Sequence, residues 1–203
     1  MIKKRKFYIK FLIILFLAFF SSEQAFTETN NPSQWVENIG NKALIILEKD
    51  SLSDEEKTNS LEKIFISNLA IKRISLFVLG PYRKNLAPSD SLRYFESIKN
   101  FISKVYAKRL SLYPSGIIKV TKIEDKGKRG IIVSSVITFD NRPDPVSIDW
   151  WIIPSSTSLY KVFDIRISGI WMAQEQRSTF TSFLSRNNGK ISNLIEKIEL
   201  QLQ

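Results

Sequence analysis

At Pro114 to Gly116 the hydrophobic period of this chain changes, and that change decides its fold class. Before it, apolar residues recur at three and four, the spacing of one helix face. Trp35, Val36, Ile39, Ala43, Leu44, Ile46 and Leu47 mark a first helix. Ser53 followed by Glu56 has capping-box spacing, so a second helix starts at Asp54 and runs through Leu61, Ile64, Phe65 and Leu69. A third apolar segment, ISLFVLG, stops at Gly80-Pro81. Ala87-Pro88 opens the longest helix, with proline suited to the first turn and Asp90 near the positive end of the dipole. Its stripe comprises Leu92, Phe95, Ile98, Phe101, Ile102, Val105, Tyr106, Leu110 and Tyr113. From Ile117 the period is two, which predicts strands over 117–124, 130–139, 146–153 and 159–168. The turns at 125–130, 141–145 and 154–158 are too short for crossovers, so the strands form an antiparallel meander. Two helices, 172–186 and 188–201, close the chain around Asn188-Gly189. Helices, then a meander, then helices predict an α+β fold with helices packed on a curved sheet.

The first 25 residues stand apart. Lys3, Lys4, Arg5, Lys6 and Lys10 precede or open an unbroken apolar run at 11–20, followed by Ser21, Ser22 and Ala25. This pattern reads as a secretory signal peptide at 1–25, leaving a single domain at 26–203 and export to the periplasm. An uncleaved N-terminal anchor is the alternative. Loss of five basic residues and one acidic residue takes the formal charge from +10 to +6. Much of the basic excess therefore belongs to the leader, and acidic lipid headgroups or acidic protein faces are expected partners rather than nucleic acid.

The sequence holds no cysteine and no histidine. That excludes disulfides, zinc sites of the Cys/His kind, and Ser-His-Asp or Cys-His catalysis. Carboxylate, lysine or tyrosine chemistry is what remains. Asp149 and Asp164 are the acids to weigh, since both fall within strands. Asp149 shares its face with Trp151 and Ile153, and Asp164 lies two residues from Arg166. Either acid could serve an isomerase-like or hydrolase pocket; the plainer reading pairs each with an arginine or with solvent. Arg177 stands near a helix start, where a cation is electrostatically disfavoured, so it needs a partner: a carboxylate of the fold or a ligand phosphate. The basic turn Lys126-Gly127-Lys128-Arg129 is a solvated hairpin or a docking element for an acidic surface. Trp150 and Trp151 must point to opposite sheet faces. Either helices cover both faces, or one tryptophan marks an exposed patch or a pocket mouth.

Several ordered pieces carry a resemblance. Tyr160-Lys161-Val162-Phe163-Asp164-Ile165, then Gly169-Ile170, then Gln176-Arg177-Ser178 and Phe180 resemble the C-terminal signature of the MlaC (toluene-tolerance) family. Ile148-Asp149-Trp150, the long-helix residues Phe101, Tyr106, Arg109, Leu110 and Tyr113, and Leu79-Gly80, Tyr82 and Arg83 extend the likeness over about 35–200. Tyr160, Trp171 and Gln174-Glu175 depart from the family pattern. The resemblance implies a nuclear-transport-factor-like cone with an apolar cavity, and a phospholipid cargo held without cofactor, metal or covalent bond. It also implies a shuttle between an inner-membrane ABC transporter complex, with its substrate-binding ring protein, and an outer-membrane lipoprotein–porin complex, maintaining outer-membrane lipid asymmetry. Under that reading Phe95, Phe101, Val105, Tyr106, Trp150 and Trp171 line the cavity. Arg83, Arg109 and Arg177 contact the headgroup or the mouth, and the bulky Trp171 reshapes the pocket. A polycyclic, hopanoid-type lipid is the alternative cargo. A carboxylate enzyme and a ligand-free docking module are the readings from other classes.

Overall fold

The computed structural model describes residues 31–111, 116–139 and 142–203; the segment read as a signal peptide, Tyr113 and the turn residue Asn141 lie outside them. Asn31 starts the first helix, α1 (Pro32–Glu48), by accepting a hydrogen bond from Ser33 N at 3.0 Å, with Pro32 in the first turn. The capping box at Ser53 forms as its spacing requires. Glu56 N donates to Ser53 Oγ at 3.3 Å and Ser53 N donates to Glu56 Oε2 at 2.8 Å, opening α2 (Asp54–Asn68). The third apolar segment is α3 (Ile71–Val78). Gly80 at φ +57° ends it, and Pro81 then sits in a 3-10 helix, Gly80–Asn85, where its missing N–H costs nothing.

The long helix α4 spans Pro88–Ser111 and buries Tyr94, Ile98, Phe101, Ile102, Tyr106 and Ala107 along one stripe. Tyr94 is fully enclosed, and its hydroxyl donates to the Ser75 carbonyl at 2.6 Å, tying α4 to α3. Burial holds that phenol well above its ordinary titration range.

Five strands follow in sequence order, each antiparallel to the next: β1 (Ile117–Asp125), β2 (Ile131–Phe139), β3 (Arg142–Pro154), β4 (Tyr160–Ile167) and β5 (Ile170–Trp171). The expected meander has four strands; the short fifth arises at Gly169. Ser168 at φ +48° and Gly169 at φ +90° make a two-residue reversal, so Ile170 pairs Ile167 and Trp171 pairs Arg166. The chain then enters α5 (Met172–Arg186) and α6 (Ile191–Leu200).

β4 departs from simple alternation. Phe163 has no partner on β3, lying between Val162, opposite Ile152, and Asp164, opposite Trp151. Val162, Phe163, Asp164 and Ile165 are all buried in succession. This answers the question the two tryptophans raise. Trp150 is buried on one side of the sheet, while Trp151 packs edge-on against Phe163, which packs in turn on Phe77 of α3. Helices therefore reach β4 from both sides.

Candidate functional site: an enclosed apolar pocket

Two periodicities converge on one small space. Tyr106 and Leu110 stand one turn apart on α4, Ile148 and Trp150 alternate on β3, and Ile165 and Ile167 alternate on β4. Phe65 of α2 and Met172, the first residue of α5, close the ring. Every group is an aliphatic or aromatic side chain. The enclosed volume is about 20 Å³. A single water needs roughly that much, whereas ligand pockets span roughly 300–1,000 Å³. The walls are thus nearly in contact.

Two polar groups belong to this wall. Trp150 Nε1 donates to Ser135 Oγ at 2.9 Å, and Ser135 Oγ donates to the Ile148 carbonyl at 3.1 Å, so the indole is satisfied. Tyr106 differs: its ring packs edge-on against Phe65 at 5.9 Å, and its enclosed hydroxyl has no hydrogen-bond partner among the described residues. Burial, and secondarily the nearby Asp164 charge, push this phenol well above its ordinary range.

Near Tyr106 of the pocket wall, α4 and the start of α5 are joined by an ion pair. Arg109 Nη2 contacts Glu175 Oε2 at 3.0 Å, with 43% and 46% of the two side chains exposed. Beneath this pair, Asp164 is fully buried. Its Oδ1 accepts from Ala173 N and from Ile165 N, each at 2.8 Å. Trp171, in the N-cap position of α5, makes no side-chain cap. Asp164 therefore caps α5 from the neighbouring strand, satisfying amides that would otherwise be left open. Burial raises its carboxyl to about 6, and the backbone N–H groups around it act the other way.

The remaining sequence candidates disperse. Phe101 and Val105 lie on another side of α4. With Lys104, Lys108, Gln201 and Leu202 they line an open groove of about 410 Å³, where Lys104 Nζ donates to the Leu202 carbonyl at 3.0 Å. Phe101 also meets Phe180 of α5 at 5.8 Å. Phe95 packs on Tyr94 at 5.6 Å and lines neither space. Trp171 is drawn by its pairing with Arg166 to the far side of the sheet, against Trp151 at 5.9 Å and under the Arg166 guanidinium at 5.2 Å. Its neighbour Met172 is the residue in the pocket wall. Arg83 is exposed on the 3-10 helix. Arg177 stacks over Phe77 at 4.7 Å, beside Gly80. An aromatic face is thus the partner its helix position called for. Asp149 is held by Arg166, whose Nε donates to Oδ2 at 2.5 Å.

Of the expected cavity residues, Tyr106 and Trp150 meet in the pocket. Phe65, Leu110, Ile148, Ile165, Ile167 and Met172 complete it. The alternations 148/150 and 165/167 carried a signal for the strand members; the pairing of those strands with α4 did not show. Among the described residues no cluster of acidic side chains is arranged to hold a metal, and no helix is long and apolar enough to cross a membrane.

An α+β domain with helices closed over an antiparallel sheet, an apolar pocket between them, and strand carboxylates engaged in an ion pair and a helix cap defines the class. The chain belongs to the MlaC family: the family model described as MlaC protein matches residues 37–200. Among solved structures it is similar to a phospholipid-binding protein from Ralstonia solanacearum, determined in complex with a phospholipid. The TM-score is 0.68 at 17% identity, over 84% of this chain and 97% of that one. No match is found among curated proteins.

Proposed function

We propose that this protein is a non-covalent phospholipid carrier whose acyl-chain site is the pocket between α4, β3, β4 and the start of α5. The wall of aliphatic and aromatic side chains carries the reading: it offers hydrocarbon a solvent, and its two polar groups, the Trp150 indole and the Tyr106 phenol, stand without a neighbouring nucleophile or base in the lining. Membership of the MlaC family and the phospholipid bound by the Ralstonia solanacearum protein support it.

Physics sets the task. Burying hydrocarbon is worth about 0.8 kcal/mol per methylene, so a long acyl chain in water costs on the order of 10 kcal/mol. A carrier has to replace bilayer with side chains. At about 20 Å³ the pocket cannot take a chain until its walls part. The seam joined by the exposed Arg109–Glu175 pair is the least costly place for that parting, because exposed pairs contribute only about 0–1 kcal/mol. Arg109, at the rim, is then positioned for a lipid phosphate.

The leader pattern supports export to the periplasm. Family membership supports a shuttle role between an inner-membrane ABC transporter complex and an outer-membrane lipoprotein–porin complex, and so a part in outer-membrane lipid asymmetry. The carboxylate-enzyme reading gains no support, since Asp149 is ion-paired and Asp164 is committed to α5. To test the proposal, the protein is incubated with phosphatidylglycerol vesicles and the vesicles are sedimented. Phospholipid left in the supernatant with the protein is the expected result; a lipid-free supernatant defeats the proposal. Recovery of a polycyclic lipid in preference to phospholipid from mixed vesicles would change the cargo class.

A further inference from the structure

Three enclosed polar atoms have no hydrogen-bond partner among the described residues: Ser103 Oγ, Tyr106 Oη and Asp164 Oδ2. Only Tyr106 belongs to the pocket wall. A buried hydroxyl left unpaired costs about 1–3 kcal/mol, so its presence in the wall calls for a reason. Phenylalanine would fill the same space at no such cost. The other polar group of the wall, the Trp150 indole, is already engaged by Ser135. Tyr106 is the wall's unspent donor.

Its place along α4 identifies the acceptor. Tyr106 is buried, whereas Arg109, three residues on and so on the same side of the helix, is partly exposed. The pocket therefore offers apolar walls from four elements and one neutral donor on α4, with one cation a turn further along the same helix. A diacyl phospholipid presents hydrocarbon, an ester carbonyl, then a phosphate in the same order. We infer that the Tyr106 hydroxyl donates to an ester carbonyl of the cargo, making this residue a specificity determinant for ester-linked over ether-linked lipid. This rests on the lipid-carrier reading and adds the bond by which the carrier reads its cargo.

The test compares the full chain with its Tyr106→Phe variant. Each is offered vesicles of diacyl phosphatidylglycerol or of dialkyl phosphatidylglycerol with matched chains, and the lipid extracted at equilibrium is measured. One neutral hydrogen bond corresponds to about a three- to tenfold preference. The parent chain is expected to favour the diacyl lipid by that factor. Tyr106→Phe is expected to lose the preference through weaker diacyl binding, with dialkyl binding unchanged. A parent chain that extracts both lipids equally, or a variant that keeps the preference, overturns the assignment to Tyr106 and leaves the carrier reading intact. A parent chain that extracts neither lipid overturns both. Thermal unfolding of the lipid-free proteins is the second readout. Tyr106→Phe is expected to melt at the parent's temperature or above, because its lost hydroxyl had no partner. A clear drop would show that the hydroxyl serves the fold and would overturn the assignment.

Discussion

Asp164 shows how much one side chain can do for a fold. Its carboxylate is buried among apolar neighbours because the amides at the start of α5 need an acceptor. The folded-state value of about 6 lies above the 3.8 of a free aspartate. Between those values the folded chain keeps a proton that the unfolded chain has released. The stability this adds is fully present below the unfolded value and is lost as pH rises through the folded one. Comparison with Asp164→Asn isolates it from the other carboxylates. Relative to the variant, the parent should lose on the order of 2–3 kcal/mol between pH 4 and pH 7, read from denaturant unfolding. Parallel stability curves would contradict the assigned environment. Arg109, Glu175 and Tyr106 are the charged or titratable groups nearby; they are present in both chains, so the comparison with Asp164→Asn cancels what they contribute by themselves. Arg177 is the second residue-scale case. With Phe77 as its partner, Arg177→Ala should cost about 0.5–2 kcal/mol in stability and leave lipid extraction unchanged. A loss of extraction without a loss of stability would return it to the headgroup.

The elements were largely legible because their signals are local. The capping box at Ser53, the proline opening α4 and the change to period two all act within a few residues, and each lands where the spacing puts it. What stayed hidden depends on contacts between distant segments. Asp164 could not be recognised as the cap of α5 until the Ser168-Gly169 reversal folded Ala173 back over it. Sequence distance placed Arg166 beside Asp164, but strand register placed it against Asp149. The same reversal carried Trp171 away from the pocket and left Met172 in its wall. Gly130 illustrates an element held by one backbone position. At φ +103° it closes the β1–β2 turn, and a Cβ there would lie 2.3 Å from the Ile152 carbonyl. Gly130→Ala combines backbone strain with overlap and should destabilise by about 2–4 kcal/mol. Gly127, in the same turn at φ +60°, has open space around it, so Gly127→Ala should cost less; equal losses would mean that crowding against Ile152 is not the cause.

At the scale of the whole molecule, the pocket is a junction rather than a preformed vessel. Its wall draws on α2, α4, β3, β4 and the first residue of α5, and an exposed ion pair joins α4 to α5 nearby. The fold therefore combines a tightly packed core with an α4–α5 seam joined by an aromatic contact, Phe101 on Phe180, and by an exposed ion pair. Glu175→Ala frees Arg109 at that seam. It should change stability by less than about 1 kcal/mol yet quicken lipid exchange between protein and vesicles; unchanged exchange would place the entry elsewhere. The central claim is that this chain carries phospholipid in solution. Native mass spectrometry of the full-length protein, purified without added lipid or detergent, tests it most directly. A population heavier than the polypeptide by the mass of a phospholipid is expected, released as intact lipid on denaturation. A single species at the polypeptide mass, with none gained after exposure to vesicles, would contradict it.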